Sequence, residues 1–395
     1  MIRSAQKNGH GSWYQIAATV FTTTVLLLVA VNVLVWLVLT LHSALSPEQR
    51  NPVAERHRKP VDALYPDMKP GEIDELLLHT WHRSFQYESF TQFKESPYSS
   101  RYVNVSPFGF RITKNQGPWP PRKDLHRTIF LFGGSTTFCY GLPDVQTVAS
   151  HLQDMFVADG VDARVYNFGR GHYFSSQERA LFVKLLAADT IPDVAIFIDG
   201  VNEFFYPGDE PVFSRMLQEC GKRRAHEDAG PLEAWRRALM QLPVGKVLQP
   251  KAPPIHHRGP DLSSEDGTEP PTDPQMIEHI VDRYATNKRI IDGVASVFGV
   301  KTVFVWQPTP VYKYDLQYHQ FAEGGFGSHG RGRSGYTLVE RRAREGSFGE
   351  NFVWCADIQE GKKEPLYVDL THYSSAMARD FATCIFRALK ARGLP

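Results

Sequence analysis

Cysteine is scarce in this chain. There are four in 395 residues, Cys139, Cys220, Cys355 and Cys384, and no two stand in C-x-x-C spacing. That argues against a zinc site or a disulfide-dense scaffold and leaves one or two bridges undecided. Neither sign of charge predominates: 44 Lys and Arg against 43 Asp and Glu give a formal net charge of +1. The basic residues are scattered, so the electrostatic footprint of a nucleic-acid partner is missing. A chain that is 42% hydrophobic and 22% charged can bury a core in one large or two ordinary domains, which excludes disorder throughout.

The one long hydrophobic run lies near the start. Residues 16–41 carry no charge and are rich in Val, Leu, Ala and Thr, longer than the roughly 20 apolar residues a bilayer core requires. Trp13 and Tyr14 mark one edge, as interfacial aromatics do. A cleaved signal peptide would have a shorter apolar region of about 7 to 15 residues, so the sequence predicts a tail at 1–15 and an uncleaved transmembrane helix at 16–41. Residues 42–70 read as a charged, Pro-containing linker, and 71–127 as a lead-in segment packed on a catalytic domain at 128–395. Helical material is expected at 73–85, followed by an aromatic, turn-rich stretch in which Gly109-Phe110-Arg111 is either a structural turn or part of a substrate entrance.

From residue 128 the pattern alternates. Short apolar runs at 128–132, 165–168, 194–198, 302–306 and 352–356 read as buried strands. Helical periodicity falls between and after them, at 147–158, 176–188, 276–298 and 374–392. This predicts an α/β fold, a parallel sheet with helices on both faces and ligand sites at the carboxyl ends of its strands. Two insertions interrupt it: about 206–274, with a helix near 232–240 and a Pro-rich run, and about 321–349, rich in Gly and Arg. Each is expected to be a solvated insertion, with a lid or docking surface as the alternative.

Chemistry-bearing residues cluster on that functional edge. Ser135 follows the first strand in Gly133-Gly134-Ser135-Thr136-Thr137, Asn202 follows the third in Asp199-Gly200-Val201-Asn202-Glu203, and Asp369-Leu370-Thr371-His372 precedes the last helix. A serine hydroxyl needs a neighbouring base to attack an acyl carbon. His372 has the right proton affinity for that task, and Asp369 can hold its productive tautomer. Fixed donors must meet the oxyanion that forms: the Ser135 N–H, a backbone N–H in Asn167-Phe168-Gly169-Arg170-Gly171, and the Asn202 amide. Singly, each motif has a plainer account as a turn, a helix cap or a loop bond. Cys139, four residues beyond Ser135, reads as a small buried hydrophobe, and His256-His257 as an exposed pair in a Pro-rich loop. No metal or cofactor is called for.

These blocks resemble those of the SGNH or GDSL-like hydrolases, over residues 128–395 apart from the insertions. The resemblance implies a flavodoxin-like three-layer α/β/α sandwich and hydrolysis or transfer of ester-linked acyl groups. It carries Ser135 over as nucleophile, with Asp369 and His372 as its partners and Ser135, Gly171 and Asn202 as the oxyanion hole. Gly133-Gly134-Ser135 departs from the family's Gly-Asp-Ser, and Glu203 stands where Asp is common. The second-block glycine would fall at His172, so either Gly171 or His172 is the donor there, with Gly171 put first for its flexibility.

A membrane-anchored esterase or O-acyltransferase acting on a surface polysaccharide or glycoconjugate is the resulting expectation. A lipid esterase or thioesterase, and a catalytically idle subunit of a membrane acyl-transfer or polysaccharide-export assembly, are the alternatives. Arg3 and Lys7 before the span against Arg50, Arg56, Arg58 and Lys59 after it favour a cytoplasmic domain, whereas the resemblance implies one facing away from the cytoplasm.

Overall fold

The computed structural model describes residues 9–45, 61–122, 124–208, 242–244, 269 and 271–394. The expected helix at 232–240, His256-His257, Cys220 and most of the linker and first insertion lie outside these residues. The chain divides into two units, residues 1–49 with 218–256, and residues 50–217 with 257–395.

In the first unit, helix α1 runs Gly9–Leu45. Its segment Trp13–Leu41 is long and apolar enough to cross a membrane. At 1.5 Å per residue those 29 residues reach about 43 Å, beyond a hydrocarbon core of about 30 Å. Five of its polar side chains bond back to the helix itself. Thr19, Thr23, Thr24 and Thr40 hydroxyls and the Asn32 amide all donate to the carbonyl four residues back, which suits a medium without water.

The second unit begins with α2 (Pro70–Trp81) and an antiparallel hairpin, β1 (Phe85–Glu88) and β2 (Gln92–Glu95). The main sheet comprises β3 (Arg127–Gly133), β4 (Ala163–Gly169), β5 (Val194–Asp199), β6 (Lys301–Trp306) and β7 (Phe352–Trp354). All its pairings are parallel, in the order β4-β3-β5-β6-β7. Counted within the sheet this is 2-1-3-4-5, the flavodoxin-like order.

Strand alternation sorts the side chains into two layers. Ile129, Leu131, Ile196, Ile198, Val303 and Val305 enter one core, under α4 (Val148–Ala158), α9 (Ser375–Ala391) and α2. Phe130, Phe132, Phe168, Phe197 and Phe304 enter the other, under α5 (Ser175–Ala187) and the second half of α7 (Pro274–Val297). The helices start where their caps dictate: Thr147 accepts the Ser150 N–H, Asp273 the Gln275 N–H and Ser374 the Met377 N–H. In α9, Met377, Phe381, Ile385 and Leu389 are fully buried at helical spacing, each contributing roughly 1.5–3 kcal/mol by burial.

Two segments differ from expectation. Residues 85–95, read as irregular, form the β1–β2 hairpin. Residues 321–349, expected as a solvated insertion, contain α8 (Gly332–Arg344), whose Tyr336, Leu338 and Val339 are buried beside Trp306. Gly335 lies flat against Phe204, where a Cβ would come within 2.2 Å of the ring. Tertiary packing overrides the poor helix propensity of glycine here.

Candidate active site

Ser135 opens α3 (Ser135–Phe138), the short helix directly after β3. As first helical residue it has a backbone N–H without an intrahelical acceptor. The Asp369 to His372 loop is a tight hairpin in which Val368 N–H donates to His372 O, and Tyr367 and Tyr373 form an antiparallel bridge. Asp369 Oδ1 closes it by accepting the Thr371 and His372 backbone N–H groups at 2.9 and 2.8 Å, a local habit of Asp side chains. The helix cap is Ser374, so Asp369 and His372 are not caps.

These elements bring three side chains into line. His372 Nε2 lies 2.8 Å from Ser135 Oγ, and His372 Nδ1 lies 2.7 Å from Asp369 Oδ2, across 237 residues of sequence between Ser135 and His372. Burial raises the cost of charge on Asp369, but His372 and the two backbone N–H groups outweigh it and hold the carboxyl well below its ordinary range. The imidazole is wedged between aromatics: Tyr140 stacks on it at 5.4 Å and Trp81, from the end of α2, meets it edge-on at 5.2 Å. A disulfide joins Cys355, after β7, to Cys384 in α9, closing the loop that carries Asp369 and His372.

Asn202 lies on α6 (Val201–Phe205), after β5. One N–H of its amide donates to Tyr173 O at 2.7 Å, which fixes the group and leaves its second N–H. A Cβ on Gly134 would come within 2.4 Å of Asn202 Nδ2, so the glycine before Ser135 is what lets that amide approach. Gly200 starts α6 with φ +139°. Beneath it Glu203 accepts the Ser175 N–H at 2.6 Å and pairs with Arg283 at 3.1 Å. Burial, then the charge of Glu203, pushes the Asp199 carboxyl well up; burial, then Asp199, does the same to Glu178.

Gly171 departs from expectation. Its N–H donates to Glu95 Oε1 at 3.0 Å, so in this geometry it is committed away from an oxyanion. Glu95, from β2, also accepts the Tyr140 hydroxyl and pairs with Arg83 at 3.1 Å, both charges 2% exposed. His172, the other second-block candidate, has φ +66° and a ring bonded to the Tyr206 hydroxyl.

The lead-in segment, which carries no catalytic spacing in its sequence, supplies Trp81, Arg83 and Glu95. Arg111 is structural: fully buried, it pairs with Asp144 and donates to three loop carbonyls around Phe138, Cys139 and Leu142. Cys139 is buried, its thiol pushed up to about 11 by that burial. A cleft of about 540 Å³ lined by Arg127, Asp193, Lys301 and Lys390 opens at the amino ends of the strands, the edge opposite Ser135.

No family model matches the chain, and no curated protein matches it. Several solved structures do. One is a lipolytic protein of the G-D-S-L family from Desulfitobacterium hafniense, 12% identical, with a TM-score of 0.32 over 66% of this chain and 99% of that one. Another is an acylhydrolase from Bacteroides fragilis, 12% identical, with a TM-score of 0.35 over 70% and 91%. A third is an acetylxylan esterase from Geobacillus stearothermophilus, 14% identical, with a TM-score of 0.36 over 68% and 95%.

Proposed function

We propose that this chain is a membrane-anchored serine esterase or O-acyltransferase of the SGNH type, acting on ester-linked acyl groups through a Ser-His-Asp acyl-enzyme mechanism. The observation that carries it is the continuous hydrogen-bonded line from Ser135 through His372 to Asp369. His372 Nε2 takes the Ser135 proton as Oγ attacks the acyl carbon. Asp369 keeps the other imidazole proton on Nδ1 and stabilises the imidazolium. The oxyanion is met by the Ser135 N–H and the Asn202 amide, a single such donor being worth about 2.7–4 kcal/mol. Collapse passes the proton from His372 to the leaving alcohol and leaves the acyl group on Ser135. Water or an acceptor hydroxyl then attacks, with His372 again as base.

The favoured acyl carrier is a surface polysaccharide or other glycoconjugate, reached by a catalytic domain facing away from the cytoplasm. The α1 span supports anchoring, and the Cys355–Cys384 bridge supports an oxidising compartment. The full-length chain in detergent should hydrolyse a short-chain aryl ester, and Ser135→Ala and His372→Ala should each abolish this with the fold intact. Equal activity in the His372 variant would remove the assigned base. Single cysteines placed on either side of the span and probed with an impermeant thiol reagent test the orientation.

A further inference from the structure

Three carboxyl groups are buried together under the short helix that carries Asn202. Glu178 on α5, Asp199 at the end of β5 and Glu203 on α6 are each at most 3% exposed. Packing in the neighbouring layer shows how the first two meet. Phe182 and Phe197 touch edge to face, their centroids 5.4 Å apart. Glu178 stands four residues before Phe182 on the same face of α5, about 6 Å along a helix that runs back over the sheet. Asp199 stands two residues after Phe197 on the same face of β5, about 6.6 Å in the same direction. The two carboxyls therefore face each other, within hydrogen-bonding reach. Glu203 completes the group: it accepts the N–H of Ser175, one turn before Glu178, at 2.6 Å, and Arg283 Nη2 at 3.1 Å.

Full ionisation of this group would set three buried negative charges against the one guanidinium of Arg283. The other titratable groups turned toward it are phenols, Tyr284 on α7 and Tyr336 on α8. Both Glu178 oxygens and Asp199 Oδ1 are buried and receive no hydrogen bond from an N–H or a hydroxyl. Ionised carboxylates only accept, so contact between these two requires a proton. The group also bears directly on Asn202. Helix α6 is five residues long, too short to hold its own shape. Asp199 immediately precedes its cap, Glu203 lies next to Asn202 on it, and Arg283 donates to its Glu203 carbonyl and to the Tyr206 carbonyl just beyond. The Tyr336 hydroxyl would stand 2.3 Å from a Cβ on Gly200, so the turn before α6 has no room to move aside.

Resting on the reading of Asn202 as an oxyanion donor, we infer that Glu178 and Asp199 share one proton and that this pair sets the place of Asn202, which makes Glu178 a positioning residue for acyl transfer. The test uses the full-length chain in detergent with 4-nitrophenyl acetate as the probe. Glu178→Leu removes the carboxyl at similar volume and leaves Asp199 without its partner; Glu178→Gln restores a donor to it. In Glu178→Leu, kcat should fall about tenfold or more, within the roughly 10²–10³ that one oxyanion donor is worth, and Glu178→Gln should recover most of the loss. In an Asn202→Ala background, Glu178→Leu should cost less than about twofold, because its effect runs through Asn202. Infrared spectra at pH 7 should show the carbonyl stretch of a protonated buried carboxyl in wild type and lose it in Glu178→Gln. A wild-type kcat in Glu178→Leu, the same loss in both backgrounds, no recovery in Glu178→Gln, or a carboxyl band that is missing from wild type or unchanged in Glu178→Gln overturns the inference alone. The spectra need only the Gln variant, so they decide the shared proton even where Glu178→Leu does not fold. An Asn202→Ala enzyme with wild-type kcat overturns the parent reading of Asn202, and this one with it.

Discussion

Replacing Asp369 by Asn changes one atom of the site. Oδ1 already accepts both backbone N–H groups of its loop, so the Asn oxygen stays there and its NH2 takes the place of Oδ2, 2.7 Å from His372 Nδ1. Two donors cannot face each other, so the imidazole must present its lone pair at Nδ1 and carry its proton on Nε2. That proton then points at Ser135 Oγ, 2.8 Å away, and the base is blocked. Loss of the productive tautomer costs about 10⁴ in kcat in the serine proteases that use this arrangement, and a fall of about 10³–10⁴ is expected here. The fold should lose little, about 1 kcal/mol, because the backbone bonds survive. Asp369→Ala strands two buried N–H groups at about 1–3 kcal/mol each and should melt lower. Rates of fluorophosphonate acylation, read beside thermal melts of both variants, separate the two effects. An Asp369→Asn enzyme within tenfold of wild type would refute the assigned role of Asp369.

Reducing the Cys355–Cys384 bridge, or Cys384→Ser, opens a loop of sequence separation 29; the chain-entropy estimate is about 3–4 kcal/mol, visible in urea midpoints, and activity should fall before global unfolding. Glu95→Ala leaves the Arg83 charge buried and unpaired at about 3–5 kcal/mol, whereas Glu95→Gln should cost less by keeping the Gly171 and Tyr140 bonds; equal melts for the two would contradict those two bonds, and a wild-type melt in both would contradict the buried pair. Acid should destabilise in two ranges. Burial, then Arg379, pulls His151 down from 6.5 to about 4, so its contribution is full above 6.5 and is lost as pH falls to 4. Burial alone would raise the Glu88 carboxyl, but Arg170, Thr91 and Lys184 bring it down from 4.5 to about 2, so its contribution is full above 4.5 and is lost as pH falls to 2. Melting temperature against pH should lose the lower limb in Glu88→Gln and the upper limb in His151→Phe.

The strands were legible because each is a short, largely buried apolar run, and the catalytic groups because Ser135 and Asn202 closely follow such runs and Asp369 and His372 closely precede the last helix. What escaped depends on distant partners. Glu95 reads as one more charged residue in an aromatic stretch, and only the folded chain brings it to Gly171, 76 residues on. The same contact explains why the expected second-block donor is committed elsewhere. Residues 332–344 look like a solvated Gly and Arg segment until Gly335 meets Phe204 and Tyr336 reaches Trp306.

The central claim is that Ser135 is a nucleophile activated by His372. Treating the full-length chain with a fluorophosphonate and locating the adduct by intact mass and peptide mapping tests it most directly. The account predicts one adduct, on Ser135, absent in Ser135→Ala and slowed by orders of magnitude in His372→Ala. A folded wild type that takes no label, or takes it equally in Ser135→Ala, would contradict it.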